Sequence, residues 1–416
     1  FNIYDIFIND SQWKSKLESS IKALDYTNKT EKISKQNIDK MYGNTLKTSV
    51  SKLEQYKRCP FSYFLKYGLK LNDKDQVKIE AVDTGTFLHD IIDSFFSALD
   101  EKELTVRQIN EEQIKQIVKN IIEEKMNLDR NYIFKTSARY INLVHRLEKV
   151  SINSIKYIVQ TIKQSSFDVY GHEVEFGTGT KYKPIKISTD SGKTVEITGK
   201  IDRIDVAKNK DGTYVRIIDY KSSIKNIDLN QVVAGLQLQL LTYLNETCKV
   251  EDFLPAGVLY FNMADPTIKA EKNITDEEIT DAIKQEFKMK GLILADVNVI
   301  KMMDNKIEET GNSDIIPAGI KKNGEISESK TKGINAEEFK NLQKYINKII
   351  KQISEEILNG NIEIRPFYNT KVQKGKTPCE YCKYKSICRF DVNNKGNNYN
   401  YLKADSKDTI LEMIKE

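Results

Sequence analysis

The chain has 416 residues, of which 39% are hydrophobic and 30% charged, and its formal net charge is +5. That length can bury a substantial core in one large or two smaller units, while so small a net charge excludes whole-molecule electrostatics as the source of any attraction to a polyanion and leaves only local patches. Five cysteines, an odd number, with no secretory signal and no transmembrane run, exclude a disulfide framework and lead us to expect a reducing, cytoplasmic setting with no membrane partner.

In chain order, residues 1–47 are polar, begin with Phe and carry a helical pattern at Trp13–Leu24; they read as a tether from a longer chain. A capping box at Ser51-Lys52-Leu53-Glu54 predicts the start of a helix over Ser51–Lys66 that bears Cys59. Amphipathic helices are expected over Thr84–Leu99, Glu112–Met126 and Tyr140–Ile162, and strands from near Val169–Glu175 onward. Alternating and β-branched residues predict strands over Val195–Ala207 and Thr213–Lys221. A helix bearing Gln239 follows, then an apolar strand at Ala256–Phe261. Helices at Ile274–Lys290 and Glu337–Asn359 flank a loop-rich stretch of Lys, Asn, Gly and Ser, and a polar Asn-rich linker leads to a short helix near Lys407–Lys415. This order describes an α/β fold with a mixed central sheet flanked by helices, occupying residues 48–395, with 396–416 as a tail.

The chemistry concentrates in one predicted hairpin. Asn209-Lys210-Asp211-Gly212 ends in Asp-Gly, a pair that tolerates positive φ and so makes a turn. Pairing Lys208 with Thr213 and counting back sets Asp202 opposite Asp219, with their Cβ atoms about 5 Å apart on one face. Period two places Lys221 on the face of Asp219 and turns Tyr220 the other way. Two carboxylates this close repel unless a divalent cation lies between them, and magnesium or manganese suits such an oxygen-rich site. Lys221 would then hold the attacking water or neutralise charge building on a phosphate. A solvated hairpin with salt bridges is the plainer alternative, but the apolar lead-in Arg216-Ile217-Ile218 and the opposed Asp202 favour catalysis.

Gly199-Lys200-Ile201-Asp202-Arg203-Ile204-Asp205 followed by Ile217-Ile218-Asp219-Tyr220-Lys221-Ser222 resembles the core of the RecB-type PD-(D/E)XK nucleases. Upstream, Gly85-Thr86-Phe87-Leu88-His89-Asp90 resembles that family's Gly-x-x-x-His helix, which implies that His89 is a further metal ligand. Downstream, Gln239-Leu240-Leu241-Thr242-Tyr243 resembles its Gln-x-x-x-Tyr helix, and the i, i+4 spacing puts Gln239 and Tyr243 on one helical face. The resemblance implies that His89, Asp202, Asp219 and the Tyr220 carbonyl hold one or two divalent ions, that Gln239 and Tyr243 position the DNA strand, and that cleavage leaves a 5′-phosphate and a 3′-hydroxyl. His145 and His172 match nothing in these motifs.

Cys379, Cys382 and Cys388 form Cys-x2-Cys-x5-Cys, and Cys59 lies far upstream in Arg58-Cys59-Pro60-Phe61. Four thiolates can hold a 4Fe-4S cluster or a zinc ion; a lone early ligand with a later triplet favours iron and sulfur, because zinc sites more often use two paired knuckles. Cys248 is expected to be an ordinary buried thiol. One early cysteine plus a C-terminal triplet resembles the iron-sulfur staple of the B subunits of AddAB-type helicase-nucleases, which implies single-stranded DNA from unwound duplex ends as substrate, an AddA-like helicase-nuclease subunit as partner, and a role in recombinational break repair. Lys371, Lys374, Lys376, Lys383, Lys385 and Arg389, interleaved with Tyr368, Tyr381 and Tyr384, offer a nucleic-acid patch or merely a solvated face. No Walker A loop is present, so ATP hydrolysis is not expected of this chain. The competing readings are a freestanding CRISPR-adaptation-type exonuclease and a catalytically silent DNA-binding scaffold.

Overall fold

The computed structural model describes residues 11–24, 27–71, 81–263, 266, 275–370 and 375–415. Lys371 and Lys374 of the basic stretch lie outside them.

The centre is a six-stranded mixed sheet of β2 (Asp168–Phe176), β5 (Gly199–Asn209), β6 (Gly212–Lys221), β7 (Leu254–Asn262), β8 (Lys290–Leu294) and β9 (Gly333–Ile334), in that spatial order. β2, β5 and β6 run antiparallel to their neighbours, whereas β7 joins β6 in parallel after a crossover through the Gln239–Glu251 helix. β6 and β7 are the central strands and are buried over residues 215–220 and 256–262.

The hairpin forms in the expected register. Lys208 pairs with Thr213 and Arg203 with Ile218, so Asp202 and Asp219 follow as the next opposed residues. The turn is tighter than expected, since Asn209 also pairs with Gly212 and only Lys210 and Asp211 are left to turn. Asn209 Oδ1 closes it by accepting from the Asp211 and Gly212 amides, and Gly212 takes a φ of 144°.

Four boundaries differ from expectation. The single strand expected over Val195–Ala207 is two: β4 (Thr194–Ile197) belongs to a three-stranded sheet with β1 (Thr45–Thr48) and β3 (Ile185–Ser188), and the chain changes sheet at Thr198, whose amide donates to the Thr48 carbonyl. The boundary between a tether over 1–47 and the main unit consequently falls inside β1, and Ile38 and Leu46 are buried. The helix expected from Ser51 starts instead at Val50, capped by Ser49, and runs to Arg58; Pro60 then opens a separate turn. The C-terminal Lys407–Lys415 helix packs Ile410, Leu411 and Ile414 into the core beside the Ala336–Leu358 helix, so this segment of the expected tail is part of the body.

Beneath the hairpin, on the face opposite Asp202 and Asp219, lies a fully buried ionic cluster. Asp205 Oδ2 accepts from Arg216 Nε at 2.9 Å and from Arg203 at 3.2 Å, Arg203 also donates to the Tyr220 hydroxyl, and Arg216 lies over the Phe167 ring. Two guanidiniums share one carboxylate, so Asp205→Ala would strand two buried cations. It is expected to cost about 3–5 kcal/mol, read as a lowered urea midpoint at equilibrium.

Candidate metal centre

The site lies at the end of the β5–β6 ladder, where three neighbouring strands each present an acid. His172 pairs with Arg203 and Val174 with Ile201, which places Glu173 across from Asp202; Asp202 in turn stands across from Asp219. The row Glu173, Asp202, Asp219 thus spans β2, β5 and β6. His89 reaches it from the Ala81–Glu101 helix, with Nδ1 3.3 Å from Asp202 Oδ2. His89, Glu173 and Asp202 each offer one ligand atom within 4.8 Å of the others, and an imidazole with two carboxylates suits manganese or magnesium.

Asp202 Oδ2 also accepts the Tyr220 amide at 2.8 Å, which ties β5 to the last turn of β6. Asp219 is buried, and its carboxylate is engaged by the Lys221 ammonium, which lies toward the Tyr260 ring. Burial and the nearby Asp219 hold the Asp202 carboxyl well above the usual carboxylate range, against the pull of the Tyr220 amide and Lys221. Burial likewise raises Glu173, opposed by its ion pair with Lys200. Burial lowers the His89 imidazole despite Asp219, favouring the neutral form that can ligate.

Glu173 is the residue that motif reading missed. β2 connects to β5 not by a tight turn but through β3 and β4, which belong to another sheet, so counting along the sequence does not reveal the register of Glu173. Its φ of 48° is a left-handed conformation costing about 1–3 kcal/mol for a non-glycine residue. The neighbouring His172, which no motif covered, anchors that strand to the helix of His89: its ring nitrogens meet Asp93 at 2.7 Å and Asp100 at 3.1 Å.

Gln239 opens its helix half-buried, one turn before Tyr243. Tyr243 is buried, stacked on Phe176 and turned toward the backbone of Gly199 and Lys200. A Cβ at position 199 would stand 2.2 Å from the Tyr243 hydroxyl, which explains the glycine that opens β5. A cationic group adjoins the acids, since Arg58 and Lys221 both depress the Lys225 ammonium after burial does.

The four cysteines singled out by spacing meet at a second place. Cys59, Cys379, Cys382 and Cys388 line one cavity of about 460 Å³ with Arg58, Pro378 and Tyr384. Burial pushes the Cys59 thiol up to about 12, with Cys388 and Cys379 adding to the rise. Cys248 stands apart in the Gln239–Glu251 helix, its thiol also raised to about 12 by burial.

A mixed sheet with a histidine and acids converging beside a strand-borne lysine defines a metal-dependent nuclease class. The PD-(D/E)XK nuclease superfamily model matches residues 47–389, and the chain belongs to that family. It is 40% identical over its whole length to the ATP-dependent helicase/deoxyribonuclease B subunit of Caldanaerobacter subterraneus subsp. tengcongensis, covering 35% of that protein. The same-named proteins of Clostridium novyi and Thermoanaerobacter sp. are 40% and 38% identical, with 36% of each covered. The chain spans about a third of the length of these relatives.

Raised carboxylates carry a pH signature. Without metal, the stability tied to protonated Asp202 and Glu173 is present below the ordinary carboxylate pKa and is lost as pH rises through their raised values; a divalent cation reverses that loss. Manganese is therefore expected to raise the melting temperature more at about pH 8 than at about pH 5.5, and Asp202→Asn should remove most of the increment. Differential scanning fluorimetry checks this; a metal shift independent of pH would contradict it.

Proposed function

We propose that this chain is a metal-dependent deoxyribonuclease that hydrolyses phosphodiester bonds of single-stranded DNA from unwound duplex ends, as part of a helicase-nuclease acting in recombinational break repair. The observation that carries the reading is the convergence of His89, Glu173 and Asp202 from three separate elements beside the Asp219–Lys221 ion pair. The names of the relatives support deoxyribonuclease action within a larger assembly, and we take an AddA-like helicase-nuclease subunit as the partner.

His89, Glu173, Asp202, Asp219 and the Tyr220 carbonyl would hold one or two magnesium or manganese ions. Such ions, when bound, polarise the scissile phosphate and lower the pKa of a coordinated water. Asp219 holds the Lys221 ammonium at the end of β6, where it orients the attacking water or meets charge developing on the phosphate. Lys225 and Arg58 add positive field on the approaching strand, while Gln239 and Tyr243 form the wall against which that strand is aligned.

The four-cysteine cavity fits a 4Fe-4S cluster, since one lone ligand and a triplet line a single, partly open cavity. A cytoplasmic, reducing setting accords with thiols committed to such a group. Among the described residues no helix is long and apolar enough to cross a membrane.

Magnesium-dependent cleavage of single-stranded DNA is expected from the wild type and should fall at least about 100-fold in Asp219→Ala; equal cleavage by both would eliminate the site. Cys382→Ala should lose the visible iron-sulfur absorbance and become protease-sensitive, whereas a colourless wild type with stoichiometric zinc would replace the cluster with the other metal.

A further inference from the structure

The helix that bears Gln239 and Tyr243 starts without a cap of its own. Leu238 occupies the N-cap position and has no side-chain acceptor, while Gln237 just before it takes a φ of 58°, so the chain turns sharply into the helix. The first amides of any helix lack partners within it. Here two of them are taken by a residue remote in sequence: Glu54 Oε1 accepts from the Leu238 amide at 2.8 Å and the Gln239 amide at 3.1 Å. Its other oxygen lies 3.8 Å from Arg58, and the side chain is buried. Glu54 was expected to cap its own helix, yet Ser49 does so, which frees the carboxylate for this contact.

The Val50–Arg58 helix that carries Glu54 runs directly into Cys59 and the cysteine-lined cavity. Glu54 thus stands between that cavity and the wall of the metal centre. We infer that Glu54 is a positioning residue: its carboxylate supplies the missing N-cap of the Gln239–Glu251 helix, fixes the height and rotation of Gln239 and Tyr243 at the metal centre, and makes the cysteine-bearing segment a mechanical support of the nuclease site. The catalytic part of this inference rests on the nuclease reading above; the capping part does not. A carboxylate is suited to the task because a charged acceptor at a helix N-terminus also meets the positive end of the helix dipole.

The test compares Glu54→Ala, Glu54→Asp and Glu54→Gln in the full chain. Alanine removes the acceptor and aspartate withdraws it by one methylene, so both should accelerate hydrogen exchange at the Leu238 and Gln239 amides at least about 10-fold. Both should lower kcat on single-stranded DNA about 10–100-fold with KM and manganese affinity changed less than about threefold. Glu54→Gln keeps a carbonyl oxygen in place and should restore exchange and kcat to within about threefold of the wild type. Unchanged exchange in Glu54→Ala overturns the capping; fast exchange with normal kcat overturns the positioning role, as does a loss of kcat matched by loss of manganese binding. Should the alanine and aspartate variants not fold, wild-type exchange decides: protection of the two amides supports the cap, and rates of an unstructured segment overturn it. If Asp219→Ala cleaves as well as the wild type, the nuclease reading falls while amide exchange still judges the cap.

Discussion

The constraint on which this structure turns is the alignment of three acidic side chains at one end of three adjacent strands. Glu173, Asp202 and Asp219 stand on β2, β5 and β6, each across from the next. Burial raises the carboxyls of both Asp202 and Glu173, and the nearby Asp219 adds to the rise at Asp202. The protein meets part of this charge with Lys200 and Lys221, and His89, Glu173 and Asp202 together could hold a cation. Strands suit the purpose because a hydrogen-bonded ladder holds neighbouring side chains far more closely than loops do.

The two faces of the hairpin divide the work. Asp202 and Asp205 belong to the same short motif, yet their odd spacing sends them to opposite faces, one to the metal centre and one to a buried pair of arginines. A slip of one residue between β5 and β6 would set Asp202 against Ile218, or Arg203 against Asp219, in place of the opposed carboxylates. The buried cluster of Arg203, Asp205 and Arg216 penalises that slip, because any other register leaves charges unpaired in the interior. The cluster thereby favours the observed register, and the acidic row depends on it indirectly.

A second organising feature is the return of the chain's far end to its beginning. The segment after residue 360 lies against residues 28–71: the Ile33 amide donates to the Gly360 carbonyl, Asn28 donates to the Cys388 carbonyl, and the Tyr384 hydroxyl donates to the Leu71 carbonyl. The cysteine cavity sits in this junction. A cross-link here would close a very long loop, the arrangement in which loop-closure entropy is largest. Through the Val50–Arg58 helix the junction also borders the helix of Gln239 and Tyr243, so chain closure and the candidate site share one structural element.

Much of the site was legible from local pattern. Strand alternation and an Asp-Gly turn settle which residues of β5 and β6 oppose one another, because the register of a tight hairpin is a matter of counting; helical spacing likewise groups Gln239 with Tyr243, and cysteine spacing picks out four thiols from five. What only tertiary structure decided depends on contacts between segments distant in sequence. Glu173 joins the site from β2, which is separated from β5 along the chain by strands of another sheet, Glu54 leaves its own helix to cap another, and the Thr198 break assigns β4 and β5 to different sheets. Local geometry is set by neighbours along the chain and is therefore written in the sequence, whereas the partner of a buried acid is set by how helices and sheets pack, and that is known only once they have.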